Sequence, residues 1–346
     1  MRAIRTIRSF GLSPSRPSSA STATDVLRSG LRHSSLTTRA VCSPVATVRV
    51  GRPDLLALGK VARSGDAKSA RHRGVHTIGL MNGELAAMAA VAAYGSPWLA
   101  TDGGTPAPEL LGSNSCFQYV HALNAKMPPR GISRRVEVTR GTSAWFKALS
   151  QRGIQRLVLV SQLRAAGGLQ PHLASAFANS GGWALLASGS GPASSWTISW
   201  EVGNRDSPDS RIWDLAAKST SADHLQPPAS DADDARSTLR SALQDVEEFA
   251  QRAGLHDWSP WFARAAALLD DPAPSPPYHA DMLPSSASLD RRQLAAAVVQ
   301  AWVFGGMGSW NDAGPTDPAD QHEHERVSTQ LYDALLKALD AAANGH

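Results

Sequence analysis

Three short stretches of this chain hold side chains of the kinds that do chemistry. The first, Trp302-Val303-Phe304-Gly305-Gly306-Met307-Gly308-Ser309-Trp310-Asn311-Asp312, sets three glycines and a Ser/Asn/Asp group around two tryptophans. Glycines beside Ser and Asp invite comparison with a phosphate loop. Such loops follow a strand and open a helix, so that backbone N–H groups and the positive dipole end meet the anion. Here the glycines follow a segment that reads as a helix, at the end where free carbonyls point outward. Gly305 or Gly306 is then its left-handed C-cap, and no nucleotide loop is expected. The functional alternative is a rigid loop over 304–312, with Trp302 and Trp310 anchored in the core. It would present Ser309, Trp310, Asn311 and Asp312 as a ligand-binding patch. Asp312 has the chemistry of a general base or of a cation ligand, with Asn311 and Ser309 orienting what is bound. The plainer alternative is that Asn311 and Asp312 only tie the turn to its own backbone.

The second stretch, Tyr278-His279-Ala280-Asp281, brings a phenol, an imidazole and a carboxylate together in a proline-rich loop. Loops carry function disproportionately, and an imidazole held by a carboxylate is a common acid–base arrangement. His279, Asp281 and Asp312 are therefore the candidate catalytic groups. The third, His322-Glu323-His324-Glu325, resembles a metal cluster, but in a helix residues two apart point about 200° apart. The i, i+4 pairing of helical zinc sites is missing, so a solvated polar helix start is expected, with no metal and no cofactor implied. Ser161, at the end of the apolar run 156–160, stands where an α/β enzyme places a nucleophile but lacks the glycines of a nucleophile elbow. Joining Ser161, His279 and Asp312 into a triad has no support in spacing. Asp102, between Thr101 and Gly103, reads as a turn residue.

The elements that must position these groups divide the chain. Residues 83–93 read as an Ala-rich helix stopped by Gly95 and Pro97. Phe117, Val120 and Leu123 fall at spacings compatible with a short amphipathic element, which His121 could join. Residues 132–139 alternate as a half-buried strand. Thr142 or Ser143 caps a helix carrying Trp145, Phe146 and Leu149, ended by Gly153, and a strand follows at 156–160. Strand, helix, strand in so short a span predicts a βαβ unit with a parallel pair. After a helical piece at 171–178, strands at 183–188, 195–202 and 211–217 predict an antiparallel meander. In the middle one Trp196, Ile198 and Trp200 form an apolar face, expected to be core. A Ser/Asp/Pro linker at 221–232 leads to the helical half, 233–346. There Leu239, Leu243, Val246 and Ala250 line one helix ended by Gly254. Pro260, Trp261, Phe262, Ala265 and Leu269 mark a second, capped by Asp257 or Ser259, and 289–303 a third. Asp317 and Pro318 open the last, lined by Val327, Leu331, Leu335, Leu339 and Ala342. The expected fold class is α+β: a small mixed sheet with an antiparallel meander, covered by a C-terminal group of three to four helices.

Charge and aromatic content change near residue 75. Residues 1–75 hold 14 Lys/Arg against 3 Asp/Glu, whereas 76–346 hold 20 against 27. The basic pI of about 9.3 thus belongs to the tail. An acidic body without a basic stripe argues against nucleic acid as a partner, because phosphate neutralisation supplies most of that affinity. All ten Trp lie after residue 75, so the core is expected in 76–346 as a single domain. The tail, rich in Arg, Ser and Thr with Asp25 its first acid, resembles an organelle transit peptide or a translated upstream extension; disorder is expected there. Cys42 and Cys116 fit neither a disulfide framework nor a zinc site. The longest apolar run, Leu85 to Tyr94, is too short to span a membrane. The cytoplasm is the expected compartment, or the mitochondrial matrix if the tail is a transit peptide. Two functions remain. One is a non-catalytic domain binding an unknown small molecule or protein; the other is a hydrolase using Asp312 and His279 as acid/base groups.

Overall fold

The computed structural model describes residues 81–101, 105–129, 136–161, 169–222, 225–229, 231–305 and 308–345. The expectations for the tail, for Asp102 and its neighbouring glycines, and for Gly306 lie outside the described residues. Six strands form one mixed sheet: β1 (Val120–Met127), β2 (Glu137–Arg140), β3 (Ile154–Val160), β4 (Ala184–Gly189), β5 (Ser194–Val202) and β6 (Trp213–Ser221). Their order is β2-β1-β6-β5-β4-β3. The strands β3 to β6 make an antiparallel meander, as the alternation and turn residues predict, with one more strand than expected.

The βαβ expectation is overturned. The strands β2 and β3 do not pair; they are the two opposite edges of the sheet, and the parallel pair is β1 with β6. Helix α2 (Thr142–Ser150) carries the chain beneath the sheet from one edge to the other and contacts β1, β2 and β3. Five interstrand gaps amount to about 24 Å, a distance that spacing along the sequence does not report. The short amphipathic element expected around Val120 is a strand, with Val120, Leu123, Ala125 and Met127 buried. Helix α2 is capped not by its own first residues but by Glu109, whose carboxylate accepts the N–H groups of Thr142 (3.2 Å) and Ser143 (3.3 Å). A carboxylate at this end also favours the helix dipole.

Helix α1 (Gly83–Ala100) runs straight through Gly95 and Pro97, the expected stops. Burial outweighs local propensity here. A Cβ at residue 95 would lie 2.6 Å from the Phe146 ring, so Gly95 marks a close approach to α2 and β3. The neighbouring Ser96 hydroxyl donates to the Leu157 carbonyl (2.5 Å) and accepts its N–H (2.9 Å). Further along the same edge, the Asn344 amide accepts the Leu159 N–H (2.7 Å) and donates to its carbonyl (2.8 Å). Two side chains thereby take the place of a missing neighbour strand on β3.

The face of the sheet toward α1 and α2 holds Leu157, Leu159, Leu185, Trp196, Ile198, Leu215 and Ala217, all buried. The Trp face is therefore core, with Trp145 against Trp196 at 5.1 Å. The opposite face carries exposed Lys126, Thr197 and Lys218. The short α3 (Pro171–Ala174) is all that forms of the helix expected at 171–178. The C-terminal group is α4 (Ala232–Arg252), α5 (Ser259–Leu268), α6 (Leu289–Ala301) and α7 (Gln321–Asn344). Gly254 ends α4 at a φ of 75°, the expected left-handed stop. In this group α7 is central, touching α4, α6, α1 and β3. Asp317 caps a one-turn 3-10 segment, Pro318–Asp320, that leads into α7. The class is α+β, a mixed six-stranded sheet with C-terminal helices, and none of the described helices is long and apolar enough to cross a membrane.

Candidate functional site

After α6 ends at Ala301 the chain becomes extended, so the C-cap is Trp302 and not a glycine. Among the described glycines of this loop the left-handed one is Gly308, at a φ of 81°. Trp302, Val303, Phe304, Ser309 and Trp310 are buried. Trp310 sits in a cage of Phe262 (5.2 Å), Trp258 (5.5 Å), Phe249 (6.3 Å) and His324 (4.8 Å between ring centres). Its indole N–H donates to the Ser328 hydroxyl at 2.7 Å. Both tryptophans are thus anchors. The polar group is mostly used within the loop: Ser309 donates to the Gly305 carbonyl (3.0 Å) and Asp312 accepts the Gly308 N–H (2.7 Å). Asn311 differs, with its Oδ1 buried and unpartnered.

Tyr278, His279 and Asp281 form a separate constellation. Asp281 accepts both the N–H (3.0 and 3.1 Å) and the hydroxyl of Ser115, and its carbonyl accepts from Asn114 (2.5 Å) and Tyr94 (3.1 Å). The Ser115 hydroxyl lies 3.4 Å from His279 Nδ1. Serine, histidine and aspartate are therefore adjacent, but the carboxylate holds the serine instead of the histidine. In a base-activated nucleophile the third group orients the base. His279 has a left-handed φ of 53°, a strained conformation for a residue with a Cβ, and desolvation lowers its pKa to about 4. This group lies before the N-terminus of α6 and the 302–312 loop after its C-terminus. Thirteen residues of helix put about 20 Å between those two ends. His279 and Asp281 share no hydrogen-bond or ring partner with Asn311 or Asp312 among the described contacts. Ser161 is in neither place; its hydroxyl donates to the Leu336 carbonyl on α7 at 3.2 Å.

The expected solvated start of the last helix needs correcting. His322 and Glu325 are exposed, but His324 is 6 % exposed, packed on Trp310 and Phe249 (5.8 Å) with its Nε2 unpartnered. An imidazole has enough apolar surface to serve as a wall of the Trp310 cage, which helical periodicity alone does not reveal. Among the described residues no group of three metal-ligating side chains comes together. Cys116 is buried as a free thiol.

The feature that sequence reasoning missed is a cleft of about 710 Å³ between α4 and α7. Its floor is Ser161 and Leu336, one rim is Gly181 and Gly182, and α4 supplies Thr238, Ser241 and Asp245. From α7 come Tyr332, Asp333 and Lys337. The Tyr332 ring is fixed from behind by Phe304 (5.3 Å), Trp302 (5.8 Å) and His172 (6.5 Å). The loop 302–312 thus buttresses a cleft wall. Desolvation raises the pKa of Asp333 and that of Tyr332. One signal was available: Asp333, Lys337, Asp340 and Asn344 place polar residues among the Leu and Ala of the last helix, at spacings that stack them along one side. The chain matches no protein-family model, no curated protein and no solved structure.

Proposed function

We propose that this protein is a non-catalytic binding domain whose small-molecule ligand occupies the cleft between α4 and α7. The observation that carries this reading is the cleft's fixed wall. A volume of about 710 Å³ falls in the range of small-molecule sites, and Tyr332 is held in one position by aromatic rings of the buried loop. The loop 304–312 then serves binding through its anchors: Trp302 and Phe304 set the wall, Trp310 sets the start of α7, and Asn311 keeps one acceptor uncommitted. Ser309 and Asp312 hold the loop's shape. The same proposal takes 76–346 as the folded unit and 1–75 as an extension, on the change in charge and aromatic content at that boundary.

The test is a small-molecule thermal-shift screen on the full chain beside its Ser241→Trp variant. Ser241 is exposed on the cleft side of α4, so a tryptophan fills the cleft without entering the core. Compounds at a hundredfold excess over Kd should stabilise the wild type by about 2.7 kcal/mol and leave the variant unchanged. Hits that stabilise both chains equally would move the ligand elsewhere, and this proposal would fail.

A further inference from the structure

A second cavity, of about 390 Å³, lies where the C-terminal part of α1 meets the start of β3 and the approach to α6. It shares no lining residue with the cleft between α4 and α7. Arg156 of β3 and Arg291 of α6 line it, and among the described residues no carboxylate does. Neither guanidinium has a described carboxylate within ion-pair distance. Both reach the last turn of α7. Arg291 donates from Nε to the Ala342 carbonyl (2.8 Å) and from Nη2 to that of Ala343 (3.3 Å), and Arg156 donates from Nη2 to that of Asn344 (3.4 Å). Three successive carbonyls thus bring the two cations side by side. Helix capping accounts for those bonds, but a helix C-terminus carries roughly half a negative charge against two positive ones. Arg291 Nη1 and Arg156 Nε and Nη1 have no acceptor among the described contacts. Arg291 is half-buried, where an uncompensated charge is costly. The cavity also borders the positive end of α6. Pro284, Ser286 and Ala287 precede that helix, Arg291 belongs to its first turn, and the side chain of its N-cap Ser288 accepts none of its N–H groups. Asp290, the acid of that turn, is engaged by Arg236 at 3.1 Å.

We propose that this cavity binds a small phosphate monoester, its phosphoryl group held between the guanidiniums of Arg156 and Arg291. The site is separate from the cleft and goes beyond that reading. Two guanidiniums carry two positive charges, and a phosphate monoester near neutral pH answers with about two negative ones on three acceptor oxygens. A carboxylate has one charge and two oxygens, so it would leave one guanidinium uncompensated. The planar N–H forks of arginine match phosphate oxygens in pairs, and the first turn of α6 adds the positive end of a helix dipole. Pro97, Ala100, Pro284 and Ala287 offer apolar surface to the organic part. A volume of about 390 Å³ suits a small ligand.

The experiment is isothermal titration of the full chain with phenyl phosphate, with benzoate as the carboxylate and inorganic phosphate as the bare anion. Phenyl phosphate should bind, and the other two should each be weaker by about tenfold or more. Arg156→Gln, a substitution at an exposed position, removes charge-assisted hydrogen bonds and should weaken phenyl phosphate by about tenfold. Arg291→Gln should do the same. Ser286→Trp, also at an exposed position, should fill the cavity and abolish binding. No binding of phenyl phosphate, equal binding of benzoate, or unchanged affinity in Arg156→Gln overturns the proposal even if the Arg291 variant fails to fold. Equal binding of inorganic phosphate overturns the monoester. Loss of phenyl phosphate binding in Ser241→Trp would move it to the cleft and overturn this site. Unchanged affinity in that variant supports a second site, whatever the screen finds for the cleft.

Discussion

Asp312 looked from its neighbours like a general base, and its structural surroundings assign it other work. Its carboxylate accepts the N–H of Gly308, the left-handed residue that turns the chain back toward Trp310. Asp312→Ala should therefore lower stability by about 1 kcal/mol in urea titration while leaving ligand affinity in the cleft unchanged. A loss of affinity at constant stability would return Asp312 to the site. His279 and Asp281 make the same point from the other end of α6. Their residue types were legible as reactive, but Asp281 spends its carboxylate on the N–H and hydroxyl of Ser115, joining the 278–283 loop to the 114–117 turn.

At the scale of elements, the edge strand β3 shows how helices secure a sheet. An unpaired edge exposes N–H and C=O groups that a neighbour chain can capture. Here Ser96 from α1 and Asn344 from α7 each engage both backbone groups of one strand residue. Asn344→Ala would leave the buried N–H and carbonyl of Leu159 without partners. At about 1–3 kcal/mol for each orphaned group, the variant should lose roughly 2–6 kcal/mol, with faster amide exchange at Leu159 in particular. Uniformly accelerated exchange across the sheet would argue against a local seal. The arginines also bind α7 to its surroundings: Arg291 donates to the Ala342 (2.8 Å) and Ala343 (3.3 Å) carbonyls at the negative end of the helix.

For the whole molecule, buried ionisable groups set the pH range of stability. Desolvation lowers the pKa of His172 to about 4, below its ordinary 6.5. Its contribution is complete above pH 6.5 and is lost as pH falls toward 4, because the unfolded chain then binds the extra proton. Desolvation raises Glu84 from 4.5 to about 7 and Asp340 from 3.8 to about 8. Their contribution is complete below the unfolded values and is lost as pH rises to 7 and 8. The two sets oppose each other between about pH 4 and 6.5, and between about pH 6.5 and 8 these carboxyl groups act without the histidine. The unfolding midpoint should therefore decline from pH 6.5 to 8, and Asp340→Asn should flatten that decline. An unchanged alkaline limb in the variant would remove Asp340 from the account.

The sequence by itself determined the class of the fold, because period-two alternation and turn residues specify strands, and Leu spacing specifies the last helix, wherever each element is docked. It also identified Trp302 and Trp310 as anchors, since large aromatics in a glycine-rich loop have little use for solvent. Local signals did not determine which strands lie side by side. The span at 132–160 has the length of a βαβ unit, and only tertiary structure sends α2 across the sheet. Nor could Gly95 and Pro97 be known to lie inside a helix until Phe146 and Leu157 were found against it. The cleft was the least legible feature, for its walls come from α4, α7 and the ends of β3 and β4, more than 170 residues apart. No local pattern encodes a space. Asp340 and Asn344 looked alike as polar residues in an apolar helix, and three-dimensional placement alone made one a seal for β3 and buried the other against Ser161.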